Sequence, residues 1–463
     1  MRLESLEHLF SPQIPQELSQ FLYVSHLPEK SSWSVNVSPS KSVTNRAIVL
    51  SAMSAQSIEL NGPLLADDTW WGLKALEGLG FGLELSALPE SIKIQPPARR
   101  AALECVELHV GQAGTLARFL PAALLNWNVS HPQAQVQHFK LTADPQMMKR
   151  PLLPMLNGLK DWDAQILSTN WPVELRPSKL SGACRMDGSQ SGQFLSGLLL
   201  AAAGSGQECK IERFNHLVQP DYVRITLAML AEFGVQVVHD AELVHFSVPA
   251  QKLSPPDKFS IEADASTACY FAALACVLGC ELNILNLGSV TLQPDFQFFD
   301  FLKQFSCQVI TRTHSCCVVG AAEGQGAPTD PPLSFDLTQC SDQAITVAVL
   351  ALCIGRPVRI TGVAHIRHHE SDRIASFCKN CHELGVAAIE YPDGFYIPAV
   401  SHPQKLSGVW KTHNDHRFAL AGVVLASCAP SVAVENIGCM KKTAPDFIQK
   451  LTALGFQFSS SRN

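Results

Sequence analysis

Six apolar, helix-length runs recur along this chain at a nearly constant step, each with a small polar residue at its mouth. The anchors are Ser42, Thr115, Ser191, Ser266, Ser341 and Asn414. Successive anchors lie about 73 to 76 residues apart, a period to settle before any fold is chosen. The runs read VTNRAIVLSAMSA, LARFLPAALL, GQFLSGLLLAAAG, TACYFAALACVLG, DQAITVAVLALCIG and DHRFALAGVVLA. A helix that is apolar on nearly every face has to be buried.

A second series is interleaved with the first. Amphipathic segments such as DDTWWGLKALEGLGF and PDYVRITLAMLAEFGV open near 68, 145, 220, 294, 370 and 445. Pro or an acid stands at each opening, and most close on Gly, as helix ends prefer. Short aliphatic or β-branched runs follow, among them LELSA with SIKIQ, AQILS with VELRP and CQVITRT with CVVG. The unit therefore reads strand, buried helix, strand, amphipathic helix, strand, strand. Six α/β units of about 75 residues are too long for a solenoid and predict two globules of three units each. Polar junctions at Ser38-Pro39-Ser40 and Pro255-Pro256-Asp257 place the boundaries. The second globule is expected over 40–258. The first takes 1–39 with 259–463, residues 1–20 being an extension, and the double crossing makes a hinge.

The 463 residues, 46% hydrophobic and 16% charged, describe a well-packed protein. A net charge of -6 without a Lys/Arg-rich stretch argues against nucleic acid as a partner. The apolar runs are shorter than the roughly 18–20 residues of a membrane span. The start, MRLESLEHLFSPQIP, has no apolar signal core, and fifteen cysteines then predict reduced thiols in the cytoplasm. Cys378-Lys379-Asn380-Cys381-His382 matches a haem-attachment pattern but is read as a helix with two incidental thiols. His365, His368, His369, His413 and His416 have no metal-ligand spacing, so no metal is expected. No cofactor is expected, and no Gly-x-x-x-x-Gly-Lys-Ser/Thr loop occurs.

Cations gather at the helix mouths. Lys41 and Arg46 flank the first, Arg118 lies one turn inside the second, and Arg150 precedes Pro151. Arg373 and Arg417 open helices, and Lys442 precedes Thr443-Ala444-Pro445. Helix N-termini already favour anions, so added Lys and Arg point to phosphate or carboxylate ligands. Asp342 and Glu370 in the same places are candidates for proton transfer.

At these residues the sequence resembles the enolpyruvyl transferases, in their branch acting on shikimate 3-phosphate. The matching segments are Ser38–Arg46, Gly111–Thr115, Lys149-Arg150-Pro151, Ser191-Gly192-Gln193, Asp264–Ala268, Asp342, Glu370–Arg373, Asn414–Arg417 and Lys442–Asp446. They stand in the family's order over about residues 35–455. The resemblance implies a two-domain inside-out α/β barrel of six βαβαββ repeats, three per domain, with a hinge and an interdomain cleft. It implies transfer of the enolpyruvyl group of phosphoenolpyruvate to the 5-hydroxyl of shikimate 3-phosphate by addition and elimination, in aromatic amino acid biosynthesis, by a monomer.

The resemblance also implies roles. Lys41, Gly114, Arg150, Gln193, Arg373, Arg417 and Lys442 would hold phosphoenolpyruvate. Asp342 would take the acceptor's hydroxyl proton, and Glu370 with Lys41 would handle the proton at the methylene carbon. Ser42, Arg46, Ser191, Gln193, Gln219, Asp342, His365 and His369 would face the acceptor. Where the family holds the acceptor phosphate with two adjacent serines, a third serine and a lysine, this chain has Ser191, Gly192, Gln219 and His369. Two readings follow: Gln219 and a protonated His369 serve the same phosphate, or the acceptor is a different, non-phosphorylated cyclic alcohol. A non-catalytic binding protein would have lost Asp342, Glu370 or Lys41, and all three are present. The reactive-cysteine loop of the related nucleotide-sugar transferase has no counterpart.

Overall fold

Each apolar run forms a buried helix: Lys41–Ala52, Gly114–Leu125, Gly192–Gly204, Ala265–Leu278, Ala344–Ile354 and His416–Cys428. In Gly114–Leu125 all positions are buried, and in Ala344–Ile354 only the last escapes burial. The N-caps mostly differ from the polar anchors read in the sequence. Ser40, Asp264 and Asp415 accept the first-turn N–H groups of Val43, Thr267 and Arg417. Ser191 alone among the anchors caps its own helix, accepting from Gln193 N–H. Ser42 and Ser266 sit just inside their helices, because Ser40 and Asp264 ahead of them are extended and placed to cap, while Thr115 follows Gly114 in a helix whose N-cap, Ala113, has no side-chain cap.

The computed structural model describes residues 10, 15–29, 31–86, 91–321 and 331–461. Its strands form six four-stranded sheets with one common plan. In each, the first two strands of the repeat run parallel, and the remaining two add antiparallel on the same side, the fourth next to the second. The second amphipathic segment is broken into Pro145–Met148 and Leu153–Lys160, and the fourth into a 3₁₀ turn, Pro294–Gln297, and Phe298–Gln304.

The chain divides into two compact units, Met1–Phe10 with Pro39–Glu262, and Ser11–Ser38 with Ala263–Asn463. The first unit holds three sheets, those of strands Ile58–Asn61, Val136–Thr142 and Cys209–Phe214. Its apolar core includes Phe10, whose ring lies 4.9 Å from that of Trp70. Phe10 belongs to the stretch read as an extension of the other globule; its aromatic ring is what anchors it here. The second unit holds the sheets of Glu281–Ile284, Val358–Thr361 and Ser431–Glu435 around its own core.

Two first strands are exchanged along the chain. Ser32–Val35 precedes the helix Lys41–Ala52 but pairs in parallel with Glu281–Ile284. Lys258–Ser260 precedes the helix Ala265–Leu278 but pairs in parallel with Ile58–Asn61. The sixth sheet is completed by Phe21–His26, antiparallel to both Ser431–Glu435 and Gln457–Ser459. Cys378 and Cys381 lie buried on the helix Arg373–Glu383, as the sequence suggested. No helix among the described residues is long and apolar enough to cross a membrane.

Candidate active site

In the second unit, loops that follow parallel strands bring five predicted residues into one ionic network. Asp342 lies on a 3₁₀ turn, Ser341–Gln343, ahead of its buried helix. Its Oδ1 accepts from Arg373 Nη1 and its Oδ2 from Arg417 Nη2, both at 2.8 Å. Glu370 accepts from Arg373 Nη2 at 3.1 Å and from Lys442 Nζ at 2.7 Å. Asp415, fully buried, receives Arg373 Nε at 2.8 Å and Nη2 at 3.2 Å while it caps the helix of Arg417. Sequence reasoning missed Asp415; an acid directly before a buried helix was the available signal.

Three carboxylates thus face three cations. Burial pushes Asp342 toward the neutral form, but Arg417 and then Arg373 outweigh it and hold the carboxyl far below the usual range. Burial lowers Arg373 basicity, and Asp415, Glu370 and Asp342 together raise it above its ordinary value.

Two histidines expected from the sequence to face the acceptor lie at this network, His369 bonded to it and His365 beside His369. His369 Nδ1 lies 3.0 Å from Arg373 Nη1, so it can only accept there, and Nε2 carries the ring proton. Burial and then Arg373 push its pKa well below 6.5, against Asp342 and Glu370. These surroundings disfavour the protonated His369 considered from the sequence, and an acceptor phosphate would have to oppose them. His365 Nε2 is 2.7 Å from Ser341 Oγ, and its ring packs edge-on to His369.

The first unit assembles a second cluster. Lys41 Nζ is 3.5 Å from Asp68 Oδ2, another residue the sequence reading passed over. Arg118 Nη1 donates to Gln193 Oε1 at 2.5 Å and its guanidinium lies over the Phe194 ring. Gln193 is thereby oriented with its amide N–H₂ left to donate elsewhere. Arg150 rests on Gly114, whose absent Cβ would stand 2.5 Å from Arg150 Nη1. Arg46 is 1% exposed. It gives Nε to Thr226 Oγ1, Nη1 to the Ser42 carbonyl and Nη2 to the Tyr222 carbonyl. Burial pushes its pKa down to about 10. In this arrangement Arg46 braces the backbone around Ser42 and Tyr222.

Ser191 and Gln219, expected from the sequence to face the acceptor, stand beside Gly192. A Cβ there would stand 2.6 Å from the Val218 carbonyl and 3.2 Å from that of Gln219. Gln219 itself has left-handed backbone, φ 52 and ψ 58, which turns those carbonyls onto the helix mouth beside Ser191. The missing second serine is thus a consequence of this turn: no side chain fits at 192 while the turn stands.

Comparison with known proteins gives the chain a family. A 3-phosphoshikimate 1-carboxyvinyltransferase 2 of Halalkalibacterium halodurans is 32% identical, over 97% of this chain and 98% of that protein. A chloroplastic 3-phosphoshikimate 1-carboxyvinyltransferase of Solanum lycopersicum is 32% identical, over 91% of this chain and 82% of that protein. The solved EPSP synthase of Acinetobacter baumannii superposes with a TM-score of 0.74 at 21% identity, covering 95% of this chain and 99% of that one. The enolpyruvyl transferase NikO of Streptomyces tendae gives 0.72 at 16% identity, covering 95% and 98%. With residues 28–451 matching the profile of EPSP synthase (3-phosphoshikimate 1-carboxyvinyltransferase), the chain belongs to that family of carboxyvinyl transferases.

Proposed function

We propose that this enzyme transfers the enolpyruvyl group of phosphoenolpyruvate to the 5-hydroxyl of shikimate 3-phosphate and releases phosphate. The observation that carries the reading is the Asp342–Arg373–Arg417 network with Glu370 and Lys442 beside it. In this reading Asp342 takes the acceptor proton as the 5-oxygen bonds to C2 of phosphoenolpyruvate. Glu370, with Lys41, delivers a proton to C3, and a tetrahedral adduct with a methyl group results. Collapse removes a proton from that methyl while the C2–O bond to phosphate breaks. Arg150, Gln193, Arg373, Arg417, Lys442 and the backbone at Gly114 hold the phosphoenolpyruvate. Ser42, Arg46, Ser191, Gln219, His365 and His369 serve the acceptor. The enzyme acts as a cytoplasmic monomer without a cofactor.

The charge balance supports an order of events. The three cations of this network are already matched by carboxylates, so an entering anion must compete with Asp342 for Arg373 and Arg417. Once those guanidiniums turn to substrate, Asp342 loses the contacts that hold its pKa down and becomes a usable base. Charge-assisted bonds of about 1.5–3 kcal/mol each compensate the exchange.

The close contact at Gly192 supports a second reading, an acceptor that lacks the 3-phosphate. Steady-state phosphate release separates the two, with phosphoenolpyruvate plus shikimate 3-phosphate in one arm and plus shikimate in the other. Saturable release with the phosphorylated acceptor is expected. Turnover with shikimate alone would replace the first reading by the second.

A further inference from the structure

Lys41 places an ammonium where a helix is least hospitable to one. It is the first residue of Lys41–Ala52, and the open N–H groups of that turn carry partial positive charge. Asp68 supplies the opposing charge: its Oδ2 stands 3.5 Å from Lys41 Nζ, and its side chain is 2% exposed. Asp68 is itself in the first turn of Asp67–Gly78, where the helix end favours a carboxylate.

Two threonine hydroxyls tie together the stretches of main chain that carry the two residues. The Thr44 hydroxyl donates to the Ser40 carbonyl at 2.7 Å and accepts the Leu64 N–H at 3.1 Å. The Thr69 hydroxyl donates to the Leu64 carbonyl at 2.7 Å and accepts the Ala66 N–H at 3.0 Å. The turn that presents Lys41 is therefore tied, through Leu64, to the residue next to Asp68. A buried ion pair is a poor source of stability, because desolvation offsets its attraction. Its value here lies in fixing the ammonium.

We propose that Asp68 is the positioning residue for Lys41, holding the ammonium in the one place from which it meets the phosphoenolpyruvate anion and assists proton transfer at C3. This rests on the function proposed above. Misplacing such a group by about 1 Å can cost on the order of 100-fold in rate.

The test compares wild type, Asp68→Asn, Asp68→Glu, Lys41→Arg and the double variant Lys41→Arg/Asp68→Asn, by steady-state phosphate release and by calorimetric binding of phosphoenolpyruvate. Asp68→Asn should lower kcat/KM for phosphoenolpyruvate roughly 10- to 100-fold and weaken its binding, with the acceptor KM little changed. Asp68→Glu should recover part of the loss. In the Lys41→Arg background the Asp68→Asn change should cost less than about threefold, since coupled residues are not additive. Equal losses in both backgrounds, or wild-type binding and turnover in Asp68→Asn, overturn the proposal. If Asp68→Asn does not fold, Asp68→Glu decides by the same split between the two KM values. A wild type that binds phosphoenolpyruvate yet turns over neither acceptor defeats the proposed function instead, and the binding arm still decides Asp68.

Discussion

Gly192 is a residue whose absent side chain shapes the site. The Val218 carbonyl stands where a Cβ would make a 2.6 Å contact, and a backbone oxygen held in a turn cannot swing aside as a side-chain tip would. Gly192→Ser should therefore lower stability by about 1–3 kcal/mol, the usual range for overpacking, and raise the acceptor KM more than the phosphoenolpyruvate KM. Urea unfolding and two-substrate kinetics read both effects; an unchanged midpoint with tighter acceptor binding would show the turn to be soft. His369 makes a prediction of the opposite kind, through pH. Its folded pKa lies well below 6.5, from burial and Arg373, so below about 6.5 the unfolded chain binds a proton that the native one refuses. Its contribution to stability is thus present above that value and is lost progressively as the pH falls toward the folded pKa. Across pH 7 to 5.5, His369→Gln should lose less Tm than wild type. Equal slopes would mean that His369 takes up its proton in the folded protein as readily as in the unfolded one.

At the scale of elements, the mouth of Gly114–Leu125 joins sequence to chemistry most directly. A glycine opens this helix because the Arg150 guanidinium lies against its Cα. Gly114→Ala should leave the fold intact, since only the tip of a flexible arginine must move. Losing one charge-assisted bond of about 1.5–3 kcal/mol should raise the phosphoenolpyruvate KM roughly 10- to 100-fold. An unchanged KM would place Arg150 outside the phosphoenolpyruvate contacts. The six buried helices were legible because an apolar run long enough for three turns admits little else. The breaks in the second series were less so. Pro151 and Pro154 end one helix and restart it, which composition hints at without fixing. Val235–Asp240 reads as a strand, yet only Val238–His239 forms one, because Gln236 exchanges two hydrogen bonds with the Gln251 side chain instead of a neighbouring strand. The candidate cations were visible as residues, whereas the pairing of Arg373 with Asp415 depends on two helices meeting and leaves no local trace.

On the scale of the whole molecule, what could not be read from local pattern is which strand completes which sheet. Ser32–Val35 lies beside Glu281–Ile284, and Asn286 clamps Val37 by accepting from its N–H at 2.9 Å and donating to its carbonyl at 2.8 Å. Phe21–His26 stands between two strands from the far end of the chain. The two units therefore depend on the chain differently. Residues 39–262 are contiguous and contain all twelve strands of their three sheets. The other unit draws one edge strand and one interior strand from 11–38 and the rest from 263–463. Pairings so distant in sequence form late and slowly, because the loop must close before they are rewarded. A fragment of residues 39–262 should thus fold alone, with dispersed amide resonances and a cooperative melt. A fragment of 263–463 lacks the strand that separates Ser431–Glu435 from Gln457–Ser459, and so exposes two unpaired strand edges and the apolar side chains beneath them. It should remain molten or aggregate, and adding a peptide of residues 11–38 should restore a cooperative transition. Independent folding of 263–463 without the peptide would mean that its sheets can close without these strands, and that the N-terminal segment is an ornament on the second unit instead of part of its core.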